Sequence, residues 1–133
     1  MIQEAYVSFE TAKLLKEKGF DENTLMVYMS YGDLCKCNRY DSIRNSNYND
    51  ITKNYFECTA PTHQMAMKWL REEKNIFIVI EPHDYDYINE KNKSYACSLW
   101  VGDKYYEYIE SKDYPSYEEA VEAALKYCLE NLI

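Results

Sequence analysis

The segment Pro61–Ile80 constrains the fold more than any other part of the chain, because it predicts a helix that leads directly into a strand. Its first proline suits a helix entrance, and the hydroxyl of Thr62 can cap the first turn. Apolar side chains then recur every three or four residues until Asn75, which can end the helix. The run Ile76–Ile80 follows without polar alternation, which predicts a central strand covered on both faces.

Two further helices are predicted from cap residues and apolar spacing. Ser8 can cap a helix over Phe9–Lys18, and Gly19 fits the left-handed residue that follows a last helical turn. Near the end of the chain, Ser116 with Glu119 three positions later matches the capping box that opens a helix.

Strand signals lie between these helices. Thr24–Met29 is a short apolar strand candidate, and Ile51–Thr59 is a second one. Ser94–Val101 alternates, the two-residue turn Gly102-Asp103 follows, and Lys104–Glu110 returns as the other strand of a hairpin. The order of elements predicts an α+β fold: a mostly antiparallel sheet of about four strands, with three helices packed largely on one face. A chain of 133 residues fits a single domain over residues 1–133.

The charge balance argues against a conventional nucleic-acid binder. The chain has 23 acidic and 15 basic residues and a net charge of −8. Binding to a phosphate backbone depends on Lys and Arg that displace counterions, so we expect no direct nucleic-acid binding. The same acidity keeps open an alternative function, in which the protein mimics nucleic acid and binds a basic partner.

Membrane and export signals are missing from the sequence pattern. No apolar run approaches the roughly 20 residues that a membrane helix needs. The first residues lack the basic and apolar regions of a signal peptide. The five cysteines are an odd number, which favours reduced thiols over a disulfide framework. These features predict a cytoplasmic protein with no membrane partner, and they leave its oligomeric state open.

The cysteines give only a weak metal signal. Cys35 and Cys37 form a single C-x-C pair, and Cys58 and His63 follow; whether the four converge is open. Cys97 and Cys128 lie on apolar stripes and are predicted core residues. The three glycines are not clustered, which excludes glycine-rich phosphate loops. We therefore predict no catalytic residue, no metal and no cofactor.

Two histidines are candidate site residues. His63 falls in the first turn of the second helix, where we expect a surface residue. His83 lies in the sequence EPHDYDY beside Asp84 and Asp86, and carboxylates near an imidazole can tune a base or bind a ligand. This stretch predicts either a solvated acidic loop or, as an alternative, an acidic, Tyr-lined pocket of a small ligand-binding domain or enzyme.

The segment Tyr31–Asp50 predicts a long loop, because it is rich in Asn and poor in apolar residues. Tyr and Arg among small polar residues are typical of adaptable recognition loops. The candidate anchors for a protein partner are Arg39, Tyr40, Arg44 and Tyr48. A linker without a role is the competing interpretation. The stretches DYDY and YYEY could form a second Tyr- and acid-rich surface, but the pattern favours the competing interpretation, half-buried Tyr side chains on an exposed sheet.

Three segments also carry a resemblance: SFETAKLLKEKGFD, APTHQMAMKWLREEKNI and SYEEAVEAALKYCLENLI, in which KWLRE (Lys68–Glu72) is the most specific part. In this order they resemble small phage, prophage and mobile-element proteins of gut anaerobic bacteria. That family has no assigned activity, ligand or catalytic residue. The resemblance implies an accessory protein whose partner is a host or phage protein, and we therefore expect a non-enzymatic interaction protein.

Overall fold

The computed structural model describes residues 1–36, 43–47, 56–83 and 94–133. These residues form three α-helices and six antiparallel β-strands, which confirms the predicted α+β class. The strands divide between two three-stranded sheets, whereas the sequence predicted about four strands in one sheet. The helices are α1 (Phe9–Glu17), α2 (His63–Lys74) and α3 (Tyr117–Asn131), and the strands are β1 (Met26–Met29), β2 (Leu34–Lys36), β3 (Phe56–Thr59), β4 (Ile76–His83), β5 (Ser94–Val101) and β6 (Lys104–Tyr106).

The chain packs as two compact units, and each contains one of the sheets. The first unit is Met1–Ala66 together with Ile133, and the second is Met67–Leu132. The single-domain expectation for residues 1–133 stays a prediction. In the described residues, no helix combines the length and the apolar character that crossing a bilayer requires.

All three predicted helix caps form. In each, the hydroxyl of the cap residue accepts from the amide three positions later: Thr11 to Ser8 at 3.2 Å, Met65 to Thr62 at 3.2 Å, and Glu119 to Ser116 at 3.1 Å. Gly19 follows the first helix with a φ of 94°, and Asn75 follows the second with a φ of 55°. Both stop signals therefore act as predicted, because the left-handed conformation favours Gly and, next to it, Asn.

The sheet of the first unit has the order β2-β1-β3, and α1 packs against β3. Val7 joins this packing: its carbonyl accepts a buried hydrogen bond of 2.6 Å from the Tyr28 hydroxyl. The Phe9 and Tyr28 rings lie 5.2 Å apart. An apolar core forms under the first helix, and the buried phenol of Tyr28 is satisfied within it.

The predicted loop Tyr31–Asp50 contains more structure than its composition suggests. Leu34–Lys36 forms β2, and Asn45–Asn47 forms a 3-10 turn. The side-chain amide of Asn45 donates through Nδ2 to the Phe20 carbonyl at 2.9 Å. Its Oδ1 accepts from the backbone N–H of Thr59 at 3.0 Å. One of the Asn residues that predicted a loop therefore ties two segments of the backbone together. The described part of the strand predicted over Ile51–Thr59 begins at Phe56.

The sheet of the second unit has the order β4-β5-β6. The hairpin turns at Gly102-Asp103, and Val101 pairs with Lys104, as predicted. Gly102 has a φ of 62°, which fits a two-residue turn of the primed type. The return strand is shorter than expected: it ends at Tyr106 instead of Glu110.

The prediction that Ile76–Ile80 forms a central strand is wrong. This run belongs to β4, an outer strand of the described sheet, and the central strand is β5. Ile76 is 2% exposed, whereas its neighbour Phe77 is 42% exposed. The helix α3 packs on β4 and β5. The apolar run arises because one face is core and the other carries a large aromatic surface residue, an arrangement that periodicity alone does not distinguish from a doubly covered strand.

The core of the second unit lies between α3 and one face of its sheet. Cys97 is 1% exposed and Cys128 is fully buried, so both are core residues as predicted. The Cys97 thiol donates to the Ala120 carbonyl at 3.1 Å, which ties the central strand to the first turn of α3. The buried stripe of the helix consists of Ala120, Val121, Ala124, Leu125, Cys128 and Leu129.

Candidate binding site

The predicted recognition loop contributes one described residue, Arg44. Its guanidinium lies 3.2 Å from Asp21 Oδ2, and its side chain is about half exposed. Hydrogen bonds from Ser46, followed by the Arg44 guanidinium, lower the pKa of Asp21. Arg44 therefore helps to anchor its own segment to the first unit. The other candidate anchors lie outside the described residues: Arg39, Tyr40 and Tyr48.

The described cysteines do not form a metal site. Cys35 lies opposite Val27, and Cys58 lies opposite Tyr28 on the other side of β1. Neighbouring residues of a strand face opposite sides, so these two thiols lie on opposite faces of the sheet. Burial raises the pKa of Cys58 to about 12, which disfavours the thiolate that ligation or nucleophilic attack needs. Cys37 lies outside the described residues, in which no cluster of three metal-ligating side chains occurs.

The expectation that His63 is a surface residue is wrong, because His63 is 6% exposed. The N-terminal segment crosses the entrance of α2. The His63 amide donates to the Ala5 carbonyl at 2.9 Å, and the Pro61 carbonyl accepts from the Val7 amide at 3.1 Å. A first-turn position is exposed only when nothing packs over it, and sequence spacing within the helix carries no signal of that tertiary contact.

The second sheet contains an excursion between β6 and α3. β6 pairs with β5 as far as Tyr106, which lies opposite Leu99. The chain then leaves the sheet and returns at Tyr114, which bridges to Tyr95. Residues 96–98 of β5 thus stand opposite residues 107–113 of the returning chain, and we call residues 107–113 the strap. Because the strap is longer than the strand beside it, it bulges out and leaves space over the sheet.

The strap combines strained backbone with several tethers. Tyr108, Glu110 and Ser111 have φ values of 52°, 60° and 48°. A non-glycine residue in this left-handed region costs about 1–2 kcal/mol. The strap is held by Ile109, which is 7% exposed, and by the Tyr108 amide, which donates to the Ser98 hydroxyl at 3.1 Å. Strain of this density, fixed by surrounding contacts, is typical of functional sites.

A cavity of about 350 Å³ lies beside the strap, and we call it the strap pocket. His83 is one of the side chains that line it. His83 Nδ1 lies 2.6 Å from Asp113 Oδ1, and the His83 ring centroid lies 4.9 Å from that of Tyr108. An ionised carboxylate can only accept, so Nδ1 carries the proton of this bond. The described lining residues are Glu81, His83, Ala96, Ser98, Glu107, Tyr108 and Ser111.

The strap pocket is acidic. Glu81 and Glu107 contribute carboxylates, and none of the described lining residues is Lys or Arg. The strap extends this negative character to its end, where burial and then the Glu110 carboxylate raise the pKa of Tyr114 to about 12. Carboxylates beside the rings of His83 and Tyr108 form an environment that favours a cation over an anion.

Among the described residues, two particular arrangements are not formed. Ser98 pairs with Val79, and His83 pairs with Ser94, four residues away along β5. That separation corresponds to about 13 Å. The hydroxyl of Ser98 is therefore out of reach of His83, and the two do not form a Ser-His-Asp triad with Asp113. The described acidic groups around the strap pocket also do not form a three-ligand metal cluster.

An exposed aromatic cluster shares the sheet face of the strap pocket, and it consists of Phe77, Trp100 and Tyr105. Phe77 and Tyr105 both lie directly opposite Trp100, from either side. The Trp100 and Tyr105 ring centroids are 4.9 Å apart. Alternation along β4 and β5 places Phe77 with Glu81 and His83, and Trp100 with Ser98 and Ala96. We call this side, which faces away from α3, the open face.

Of the three residues predicted for the alternative pocket, the structure describes His83. A cavity does adjoin His83, but the carboxylate that contacts the imidazole is Asp113 of the strap. Asp84 and Asp86 lie outside the described residues. The alternation of β5 separates Trp100 from Cys97 and Leu99, which lie on the other face of the strand. Asp113 and the excursion that carries it have no comparable sequence signal, because they depend on where the return strand stops pairing.

Comparison of the chain with protein-family models, with curated proteins and with solved structures found no match.

Proposed function

We propose that the protein is a non-enzymatic interaction protein that binds another protein through the open face of its second sheet. The observation that carries this proposal is the exposure of three large aromatic side chains side by side: Phe77 at 42%, Trp100 at 43% and Tyr105 at 45%. Aromatic side chains are enriched in protein interfaces and supply most of the binding energy there.

The setting of the cluster supports the proposal. Its three residues are in adjacent strands of one sheet, so the backbone fixes their relative positions before a partner arrives. Preorganised aromatic rings have few rotatable bonds, so ordering them on binding costs little conformational entropy. Two carboxylates of the strap pocket lie on the same face and would exclude partners of like charge.

The cellular setting that we propose rests on sequence. The resemblance of the helical segments to small phage and mobile-element proteins supports an accessory role in a bacterial cytoplasm, with a host or phage protein as partner. The predicted anchors Arg39, Tyr40, Arg44 and Tyr48 remain a second candidate contact surface on the first unit.

Photo-crosslinking tests the proposed surface with a matched control. The photoreactive residue p-benzoylphenylalanine replaces Tyr105 in one variant and Tyr117 in another. The exposed fraction of Tyr117, 41%, is similar to that of Tyr105. Tyr117, however, lies on α3, which packs on the other face of the sheet. In a bacterial lysate we expect a discrete crosslinked protein from position 105 only. The proposal fails if both positions or neither give the product.

A second candidate function is supported by the His83–Asp113 contact in the strap pocket, which is a feature of small-ligand sites. In this alternative the domain binds a small molecule, with His83 as the central polar group. A metabolite and metal screen by thermal shift tests it, with His83→Ala as control. A compound that raises the melting temperature of the parent but not of the variant supports this function.

A further inference from the structure

The open face has two halves of different chemistry in a fixed order. The aromatic cluster lies at one end, where Phe77 pairs with Trp100, and the strap pocket lies at the other, where Glu81 pairs with Ala96. Four residues separate Phe77 from Glu81 along β4, which corresponds to about 13 Å. An apolar site and an anionic site are therefore presented together at a set distance.

We propose that this face recognises an extended segment of a partner protein that carries an apolar side chain and an Arg or Lys four residues apart. The inference rests on the proposed function and specifies the partner's chemistry. An extended segment laid along β4 rises by the same ~3.4 Å per residue as the strand. An apolar side chain seated on the aromatic cluster therefore places the fourth residue along over the strap pocket.

Charge complementarity selects the basic residue. Glu81 and Glu107 are both exposed enough to meet a partner, and no Lys or Arg is among the described lining residues. The Tyr108 ring, which also lines the pocket, offers a face on which a guanidinium can stack. Arg fits this combination better than Lys, because its planar group can stack and donate to a carboxylate at the same time. A cavity of about 350 Å³ also lies within the size range of roughly 300–1,000 Å³ for ligand pockets.

The strap supplies the rigidity that such a pocket needs. Asp113 of the strap lies 2.6 Å from Nδ1 of His83, and Ser98 of the sheet accepts a hydrogen bond from the Tyr108 amide, so the strap and the sheet are tied together at both pocket rings. A preorganised pocket gains affinity by lowering the ordering cost on binding. Neither contact brings a Lys or Arg side chain into the pocket.

A displayed library of random 12-residue peptides tests the proposal with the purified protein. We expect the enriched peptides to share an aromatic or aliphatic residue and an Arg or Lys at a spacing of four. Fluorescence anisotropy of the enriched peptides should show affinity that falls with added salt. The peptide affinity should fall roughly tenfold in the double variant Glu81→Gln with Glu107→Gln, and by a similar factor in the single variant Trp100→Ala. Either single Gln variant should show part of the loss.

The matched control is the double variant Glu118→Gln with Glu130→Gln. It changes the net charge by the same amount, but both residues are exposed on α3, which packs against the other face. We expect its peptide affinity to equal that of the parent. Equal weakening in both double variants would attribute binding to overall charge and overturn the proposal.

Three further results would also overturn it. They are enrichment of peptides without a basic residue, no enrichment at all, and equally tight binding of free N-acetylarginine amide, which would make the pocket a small-molecule site. The outcome is separable from that of the proposed function. A partner crosslinked at position 105 without a basic motif would keep the interaction surface and reject the charge rule, and failure of both experiments would reject both.

Discussion

Substituting Glu110 by Gly should stabilise the protein relative to substituting it by Ala, which reverses the usual order. Glu110 has φ 60° and ψ 9°, in the left-handed region. Ala there carries a strain of about 1–2 kcal/mol that Gly avoids. Gly in turn gives up about 0.5–1 kcal/mol through the greater freedom of its unfolded chain. The difference favours Gly by roughly 0.5–1 kcal/mol, and both variants lose the same carboxylate.

Lys112 supplies the control, since it is two residues away in the same strap but has an extended backbone with φ −136°. At that position Ala should be more stable than Gly by about 0.5–1 kcal/mol. Urea unfolding, followed by far-UV circular dichroism, measures both pairs, and a difference of 1 kcal/mol moves the midpoint by roughly 0.3–1 M. If the Ala variant is more stable than the Gly variant at both positions, the backbone of Glu110 is not left-handed. The shape described for the strap pocket is then also incorrect.

Three other perturbations have defined outcomes. Thr59→Val should stabilise the protein by about 1 kcal/mol in urea unfolding, because the buried Thr59 hydroxyl has no partner among the described residues. Asn45→Ala should destabilise it by about 2 kcal/mol, since two hydrogen bonds to backbone are lost. Burial raises the pKa of Cys58 and Cys128 to about 12 and of Cys97 to about 11. Their thiols ionise first in the unfolded chain, so stability should fall above about pH 9, by up to ~1.4 kcal/mol per pH unit for each thiol. Cys128→Ala should make that slope shallower, and an unchanged slope would show that the thiols do not cause it.

The helices were predictable because their signals are local. A cap hydroxyl and the amide it accepts from are three residues apart, so the pattern around Ser8, Thr62 and Ser116 already contains the whole interaction. The turn at Gly102 is local in the same sense. The number of sheets is different, since it depends on which strands pair over long sequence separations, and an apolar run such as Ile76–Ile80 has the same composition in a central or an outer strand.

The site was predictable only in part, for the same reason. The sequence indicated His83 as a site residue because acidic residues lie beside it. The contact that the structure shows instead comes from Asp113, thirty positions away in sequence. The strap arises because β6 stops pairing at Tyr106, and no Gly or Pro marks the left-handed residues that follow. Local propensity would place the backbone of those residues in the right-handed helical or the extended region instead. Sequence rules fail here at strained backbone, which is where functional constraint commonly overrides them.

The unequal covering of the second sheet leads to a last prediction. The helix α3 buries one face and the strap covers part of the other. The side chains of the aromatic cluster remain 42–45% exposed. Aromatic area that stays exposed contributes little to folding, because the hydrophobic effect acts on area removed from water. Replacing Phe77, Trp100 and Tyr105 together by Thr, which suits a strand, removes only the covered part, a little over half of each side chain, so the free energy of unfolding should fall by roughly 1–2 kcal/mol per ring. The same triple variant should lose the selected peptides, and Phe77→Thr with Trp100→Thr should lose the partner that is crosslinked from position 105. A loss of stability well above that range would instead show that the three rings belong to the core, and the argument for an interaction surface would then fail.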